Sequence, residues 1–356
     1  MKNCVLITGG AGFVGSNLAV LLKKNVPSTR VLALDNLKRR GSEMTLNRLK
    51  IHGIEFIHGD IRNREDLDLS QEKISLIIEC SAEPSVLAGY GNSPHYVLDT
   101  NLMGAINCFE VARSHKADII FLSTSRVYPI ETLKALSYTE SDHRFSLTEE
   151  QTITGASGKG ISPDFPLNGY RSLYGATKLA AELILQEYIH MYDLRGIINR
   201  CGVIAGPWQM GKVDQGVFSL WMLHHYFKKS LQYIGFGGSG KQVRDLLHIH
   251  DLFELITIQI KQMENCNGKI YNVGGGFDIS LSLLETTELC QKITGSRIDI
   301  GQMKQTREAD IPIYISDNEK VHHDTGWFPK KNPEEILTDI FHWIRANENE
   351  IEKTLL

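Results

Sequence analysis

The stretch that decides the fold is Leu6-Ile7-Thr8-Gly9-Gly10-Ala11-Gly12-Phe13-Val14-Gly15-Ser16-Asn17, where three glycines recur at every third position after an apolar run. The run that begins at Cys4 predicts a buried strand, and the apolar spacing from Phe13 to Leu22 predicts a helix. Gly9 suits a tight turn, Gly12 allows a pyrophosphate to approach the backbone, and Gly15 permits close packing of the helix. The pattern therefore predicts a dinucleotide bound at the helix N-terminus.

An acidic residue supports this interpretation. A second strand-like run, Val31 to Leu34, ends at Asp35, about 20 residues further on, where dinucleotide-binding folds use a carboxylate to bind the adenosine ribose. A carboxylate at this position favours NAD over NADP. NADP stays open as an alternative, because the Lys38-Arg39-Arg40 run directly downstream could receive a 2′-phosphate.

Composition limits the remaining possibilities. The chain has 356 residues, of which 42% are hydrophobic and 22% charged, and its formal net charge is -4, which gives no basic field for nucleic acid. No stretch reaches the roughly 20 apolar residues of a membrane span, and the first strand follows Met1-Lys2 directly, so we expect a cytoplasmic protein without membrane contact. The 6 cysteines lack CxxC pairs, which favours buried free thiols and no metal site.

Strand-like runs alternate with segments of helical spacing, which predicts an α/β fold with a doubly wound parallel sheet of the Rossmann type. We expect the dinucleotide domain to comprise residues 1–203 and about 243–273, with 243–262 and 270–273 returning to the sheet. A smaller, sequence-interleaved substrate domain would comprise about 204–242 and 274–356. The strand-like runs are 31–34, 55–57, 76–80, 118–122 and 197–200, and the clearest helices are 101–114 and 178–191.

One long segment, 129–168, has little periodicity and is rich in Ser, Thr, Glu and Gly. Loops of this length in compact domains are usually functional or mobile. We interpret this segment as an insertion that covers the active site and excludes water.

Two further segments contain candidate catalytic groups. Tyr174-Gly175-Ala176-Thr177-Lys178 opens a predicted helix, so the tyrosine and the lysine lie on one face a turn apart. Lys178 and an oxidised nicotinamide can lower the pKa of Tyr174 by about 2 to 5, which lets the phenolate accept a proton from a substrate hydroxyl. Thr124, at the end of a strand-like run, can bridge that hydroxyl and Tyr174, whereas Ser123 and Ser125 project to the opposite side if the strand continues.

In this order, the motifs resemble the extended short-chain dehydrogenase/reductases, in their nucleotide-sugar epimerase and dehydratase group, over essentially the whole chain. The resemblance implies an NAD-dependent epimerase that oxidises one sugar carbon to a ketone and returns the hydride to the other face. Within that group the chain is most similar to epimerases that invert C2 of a CDP-sugar, and UDP- or GDP-sugars stay open. The matching segments are Thr8–Gly15, Asp35–Leu37, Gly59–Arg62, Ser123–Thr124, Tyr174–Lys178, Arg200–Pro207 and Gly240–Asp245.

The resemblance also implies individual roles. Asp60 and Ile61 would lie at the adenine and Lys178 at the nicotinamide ribose, while Arg244 and Arg307 would bind the substrate diphosphate. The residues expected at the cofactor are Gly9, Gly12, Phe13, Val14, Gly15, Asp35, Asn36, Asp60, Ile61, Ser81, Ala82, Asn101, Ser123, Tyr174 and Lys178. Those expected at the nucleotide sugar are Glu83, Ser85, Thr124, Ser125, Arg200, Arg244 and Arg307. Helices 101–114 and 178–191 suit a homodimer or homotetramer interface.

The chain departs from the family pattern in two places. Glu79-Cys80-Ser81-Ala82-Glu83 stands where many relatives have His-Leu-Ala-Ala, with Glu83 and Ser85 close to the expected meeting point of cofactor and sugar. Relatives that are 4,6-dehydratases have Asp-Glu directly after the threonine, and Ser125-Arg126 in this chain argues against dehydration, which needs a carboxylic acid and base. The alternatives are a UDP-sugar 4-epimerase, a 4,6-dehydratase and, in a different class, a non-catalytic NAD-binding protein.

Overall fold

A computed structural model describes residues 3–211 and 215–355 of the chain. The strands of the described part are, in chain order, β1 (Cys4–Thr8), β2 (Arg30–Asp35), β3 (Glu55–His58), β4 (Leu76–Glu79), β5 (Asp118–Thr124), β6 (Tyr138–Glu140), β7 (Phe145–Leu147), β8 (Ala156–Ser157), β9 (Gly160–Ile161), β10 (Gly196–Cys201), β11 (Val203–Ala205), β12 (Leu231–Ile234), β13 (Val243–His248), β14 (Ile270–Val273), β15 (Ser280–Ser282), β16 (Ile300–Met303) and β17 (Ile313–Tyr314).

Helices connect most of these strands, and the stretch Asp99–Gly104 is a π-helical turn that leads into the fourth of them. The helices are α1 (Phe13–Asn25), α2 (Thr45–Ile51), α3 (His95–Leu98), α4 (Ala105–His115), α5 (Ile130–Lys134), α6 (Leu173–Tyr192), α7 (Val217–Tyr226), α8 (Ile249–Lys261), α9 (Met263–Cys266), α10 (Leu283–Thr294), α11 (Glu319–Thr325), α12 (Pro333–Ala346) and α13 (Glu348–Leu355).

Seven of the strands form one parallel sheet in the order β14-β10-β5-β4-β1-β2-β3. The chain first builds outward from β1 to β3 and then, on the other side of β1, from β4 to β14, so the strand order reverses between β1 and β4. This is the doubly wound Rossmann arrangement, and its ligands bind at the carboxyl ends of the strands near that reversal. The fold class predicted from the sequence is confirmed.

Helices cover both faces of this sheet, because successive side chains of its central strands point to opposite sides and are buried on both. Val5 and Ile7 of β1 pack in one core with residues of α1, α2, α8 and α11. Leu6 packs in a second core with residues of α4 and α6. The expected cysteine thiols are all free, and five of the six are buried. In the described ranges, no helix is both long and apolar enough to cross a bilayer.

A smaller sheet lies beyond the carboxyl edge of β10 and contains β11, β13, β15 and β17. Gly202 connects β10 to β11 at a position where a Cβ would lie 2.8 Å from Asp245 Oδ1, so glycine allows the chain to pass close to β13. Because β13 pairs with β11, the expectation that 243–262 returns to the large sheet is wrong for the strand. Helix α8 and strand β14 do return to it, as expected.

The segment 129–168 does not lie loosely over the site. Its residues Leu133, Phe145 and Phe165 are buried in a separate core against Val243 and Ile313 of the smaller sheet. None of the described residues in the segment lines the three cavities discussed below. The segment's apolar side chains therefore have a structural role in packing, and its role as an active-site cover stays a prediction.

A buried ion pair joins β10 to α6. Arg200 Nη2 lies 2.7 Å from Glu182 Oε2, and the two side chains are 3% and 0% exposed. Arg200 also donates to the Tyr128 hydroxyl at 3.2 Å, and the Ser123 hydroxyl donates to Glu182. These contacts satisfy both charged groups inside the protein and tie the large sheet to the helix beside it.

Replacing Arg200 with Met is expected to lower the free energy of unfolding by about 3 to 5 kcal/mol, because Glu182 is left buried without its cation. Urea denaturation would measure the change. The matched control is Arg113→Met, which breaks an exposed pair with Glu110 and should lower the free energy of unfolding far less.

The double variant Arg200→Met/Glu182→Leu should recover most of the loss, because apolar side chains then replace both buried charges. A loss for Arg200→Met no larger than that for Arg113→Met would contradict a structural role for the buried pair.

Candidate active site

The glycine loop has the geometry that its spacing predicts. Gly9 has a φ of +63°, and the Gly12 amide donates to the Gly9 carbonyl at 3.0 Å, which closes the turn. A Cβ on Gly15 would lie 2.2 Å from the Gly9 carbonyl oxygen, so α1 packs against the loop only with glycine there. The first amides of α1 are therefore available to an anion at the end of β1.

A cavity of about 360 Å³ lies beside this loop. The Asp35 carboxylate accepts hydrogen bonds from the amides of Ala11 at 3.1 Å and Leu37 at 2.8 Å, which fix it in the wall, and burial raises its pKa. A fixed carboxylate facing a phosphate-binding turn suits the adenosine half of a dinucleotide. Of the predicted cofactor residues, those in this wall are Gly9, Gly12, Asp35, Asn36, Ile61, Ser81 and Ala82, together with Glu83 from the substrate set.

Two predicted cofactor residues instead support this wall. Asp60 lies 2.6 Å from Arg62 and accepts from Asn36 at 2.9 Å; although burial acts to raise its pKa, these hydrogen bonds lower it to about 2. Asn101 accepts from the Glu83 amide at 2.7 Å and donates to the Glu83 carbonyl at 3.0 Å. Their side chains orient Asn36 and Glu83, which line the cavity.

The basic run after Asp35 contacts protein groups. Lys38 Nζ lies 4.6 Å from the ring centroid of Tyr96. Arg39 donates to the Met210 carbonyl at 2.8 Å and also to the Gln215 side chain, which lines the same cavity. Lys38 and Arg39, two of the three cations that could have received a 2′-phosphate, therefore already contact protein groups. This agrees with NAD as the cofactor.

A neighbouring cavity of about 320 Å³ brings the loop and the catalytic candidates together. Strand β5 ends at Thr124 and a turn begins at Ser125, so the strand does not continue in the way that would direct Ser125 away from the cavity. The predicted site residues in the wall of this cavity are Gly9, Gly12, Phe13, Val14, Gly15, Ala82, Ser123, Thr124, Ser125, Tyr174 and Lys178.

Helix α6 presents Tyr174 and Lys178 at this wall because of how it begins. Ser172 caps the helix by accepting from the Gly175 amide at 3.3 Å. A Cβ on Gly175 would lie 2.0 Å from the Arg126 carbonyl oxygen, so this glycine lets the first turn of α6 press against the end of β5. Thr124 and Tyr174 are brought together as a result.

The pKa of Tyr174 differs from the sequence-based expectation. Burial raises it, and this effect exceeds the lowering by the Lys178 charge, a hydrogen bond with Thr124 and the Arg126 guanidinium. Lys178 acts in the expected direction but does not determine the net result. The oxidised nicotinamide that the expectation included would add a further positive charge.

Lys178 is held by a carboxylate from the sheet. Its Nζ lies 3.3 Å from Oε2 of Glu79, the last residue of β4, and the two side chains are 2% and 0% exposed. The ammonium also lies 4.1 Å from the ring centroid of Phe121. Burial raises the pKa of Glu79, against the effect of Lys178.

A third cavity, of about 590 Å³, lies between the two sheets and contains Arg126, Arg244 and Arg307 in its wall. Arg244 donates to the carbonyls of Val243 and Ile311, each at 2.7 Å. Burial and the nearby Arg126 lower the pKa of Arg244 to about 9, and burial lowers that of Arg126. In 3–211 and 215–355, neither guanidinium has a carboxylate within 4.0 Å, so both can receive an anionic ligand.

Three predicted site residues have other partners. Arg200 belongs to the buried pair with Glu182 and lines none of the three cavities, because a carboxylate on α6 already satisfies its guanidinium. Ser123 reaches the cavity wall, but its hydroxyl is bound to Glu182. The Ser85 hydroxyl accepts from the Leu87 amide at 3.2 Å.

A Rossmann sheet whose carboxyl edge carries this glycine loop, a threonine and a Tyr-x-x-x-Lys helix defines the class of extended short-chain dehydrogenase/reductases. The chain belongs to the NAD dependent epimerase/dehydratase family, whose model matches residues 5–274. Its cofactor is therefore NAD, and the wall residues described above, from Gly9 to Lys178, are those that would hold it.

Similar proteins act on nucleotide sugars. The chain is 27% identical to CDP-paratose 2-epimerase from Salmonella typhi, over 95% of this chain and 98% of that protein. It is 28% identical to human dTDP-D-glucose 4,6-dehydratase, over 96% and 90%. UDP-glucuronic acid 4-epimerase from Bacillus cereus, solved with UDP-glucuronic acid and NAD, has the same fold, with a TM-score of 0.79, 23% identity and coverage of 96% and 99%.

Two residues near the chemistry were not assigned from the sequence. Arg126 lines both the nucleotide-side cavity and the catalytic cavity, and its position directly after Thr124-Ser125 was the available signal. Glu79 was recognised only as a departure from the family pattern. Nothing in the local sequence relates it to Lys178, which lies 99 positions away.

Replacing Gly15 with Ala is expected to weaken NAD binding at least tenfold, because the added Cβ would collide with the Gly9 carbonyl and displace the phosphate-binding turn. Titration calorimetry with NAD would measure the affinity. Gly301→Ala on β16 is the matched control, since the nearest atom to its Cβ would be in the Gln232 side chain at 3.4 Å, an ordinary van der Waals contact. Unchanged affinity for Gly15→Ala would mean that the pyrophosphate lies elsewhere.

Proposed function

We propose that the protein is an NAD-dependent nucleotide-sugar epimerase that inverts one sugar carbon through a transient ketone. The observation that carries this proposal is the position of Arg126 in the walls of both the larger cavity and the catalytic cavity. A nucleotide diphosphate bound at Arg244 and Arg307 would extend its sugar past Arg126 to Tyr174 and Thr124. The larger cavity, where the nucleotide would bind, thereby leads to Tyr174, which would remove the proton.

In this reaction Tyr174, as the phenolate, accepts the proton of the carbinol hydroxyl, and Thr124 holds that hydroxyl by a hydrogen bond. NAD supplies the hydride acceptor and later the hydride donor. The keto sugar rotates within the catalytic cavity so that its other face meets the cofactor. Tyr174 then returns the proton to the oxygen of the inverted carbon. The buried side chains around Tyr174 exclude water from the ketone.

The catalytic cavity favours epimerisation over dehydration. In the described ranges its wall contains no Asp or Glu side chain, and Arg126 follows Thr124-Ser125 where dehydratases carry an acid. Elimination of water needs an acid and a base beside the sugar, whereas inversion needs only Tyr174 and the cofactor. This contrast supports an epimerase although a dehydratase is 28% identical to the chain.

The similarity to CDP-paratose 2-epimerase supports a CDP-sugar as substrate and C2 as the inverted carbon. The same catalytic side chains would serve inversion of C4 in a UDP-sugar, which is the second candidate and is supported by the likeness to UDP-sugar epimerases. The nucleotide would be distinguished in the larger cavity, where Gln232 and Asp299 offer hydrogen-bonding groups.

We further infer a homodimer formed through α4 and α6. Several apolar side chains on and beside these helices are exposed, with Leu183 at 56% and Met191 at 64%. Two such helices from each of two subunits would bury these side chains in a four-helix interface.

Incubation of the protein with CDP-, UDP- and GDP-sugars should give, for one nucleotide, a product with the same mass and one inverted ring carbon. Proton NMR would identify that carbon from its coupling constants. A CDP-sugar inverted at C2 is the expected result. A product lighter by one water would establish a dehydratase, and no product from any nucleotide sugar would contradict an epimerase.

Tyr174→Phe is the control for this experiment, because it removes only the hydroxyl that transfers the proton. Turnover should fall by at least 100-fold, the usual contribution of a positioned acid or base, while NAD stays bound. Turnover close to that of the unaltered protein would exclude Tyr174 as the acid and base.

A further inference from the structure

Glu79 is a completely buried carboxylate whose partners all donate to it. Lys178 Nζ lies 3.3 Å from Oε2, and the Ser81 amide and the Thr8 hydroxyl lie 2.8 and 3.5 Å from Oε1. Burial raises the pKa of Glu79, but the Lys178 ammonium and the Ser81 amide can only donate, so these contacts favour the charged, accepting form. The expected catalytic lysine therefore has a negative charge in direct contact.

The other ionisable groups around this pair supply no second unpaired negative charge. The thiols of Cys80, directly after β4, and Cys108 on α4 have pKa values raised by burial, and burial raises the pKa of Cys201 on β10 to about 12, so all three are neutral. Glu182, one turn further along α6 than Lys178, forms its ion pair with Arg200. Besides Lys178, the positive charge of Arg126 lowers the pKa of Tyr174.

We propose that Glu79 is a positioning residue for proton transfer: its carboxylate fixes the Lys178 ammonium and offsets its positive charge, so that Tyr174 keeps its proton until oxidised cofactor brings positive charge into the cavity. This inference rests on the proposed function, because it concerns the same tyrosine. It explains why β4 ends in a glutamate that contacts neither the cavities nor solvent.

The sign of the effect follows from electrostatics. The positive charge of Lys178 favours the phenolate of Tyr174, and the negative charge of Glu79 opposes it. A charge in direct contact with a titrating group typically changes its pKa by about 1 to 3, and Glu79 acts on Tyr174 through Lys178, so the expected change is at the lower end of that range. Glu79→Gln keeps an oxygen that can accept from Lys178 but removes the charge. Tyr174 should then ionise at a lower pH, by about one pH unit.

The experiment is a pH titration of phenolate ultraviolet absorbance in the NAD-loaded protein without any sugar. Spectra of the corresponding Tyr174→Phe proteins are subtracted, so that only Tyr174 is observed. The midpoint for Glu79→Gln should lie about one pH unit below that of the unaltered protein, and the acid limb of turnover should move in the same direction. Because no sugar is present, the titration gives its answer even if the proposed epimerase activity is absent.

Glu182→Gln is the matched control, since it neutralises a different buried carboxylate, which lies on α6 and faces Arg200; the Tyr174 midpoint of this variant should not move. Glu79→Asp retains the charge and should titrate like the unaltered protein, which also provides a test if Glu79→Gln does not fold. A Glu79→Gln midpoint equal to or above the unaltered value, or a lowered midpoint in Glu79→Asp or Glu182→Gln, overturns the proposal.

Discussion

The ion pair between Glu79 and Lys178 is the contact on which the geometry of the candidate site depends. It joins the carboxyl end of β4, at the centre of the large sheet, to the first turns of α6. Removing either partner would leave an uncompensated charge in a dry interior, which is strongly unfavourable. The pair therefore fixes where α6 lies along the strand direction of the sheet. This in turn fixes the position of Tyr174 beside Thr124.

The second constraint is the way the two sheets meet. Gly202 lets the chain leave β10 and pass close to Asp245, and the smaller sheet thereby lies next to the carboxyl edge of the larger one. Arg126, in the turn after β5 of the larger sheet, lines the cavity between the sheets, and Arg244 on β13 of the smaller sheet lines it as well. Two half-buried guanidiniums without carboxylate partners among the described residues would be stabilised by an anion bound there.

The parts that the sequence predicted well are those set by local spacing. The glycine loop, Asp35 and the Tyr174-to-Lys178 helix each follow from residues a few positions apart, and the alternation of apolar runs predicts the sheet. Arg200 was misassigned because its partner Glu182 is identified only by the packing of α6 on β10. The packing of the segment 129–168 was not predicted, because its apolar residues have no regular period, yet they fill a core with β13 and β17.

The central claim is that the hydride which leaves the sugar returns to the same carbon on its opposite face. The most direct test uses a nucleotide sugar carrying deuterium at the inverted carbon, incubated in ordinary water without added NAD, with the product examined by NMR and mass spectrometry. The account predicts an inverted product that retains the deuterium. Inversion with loss of deuterium to the solvent would contradict it, because the carbon would then have been inverted by proton exchange.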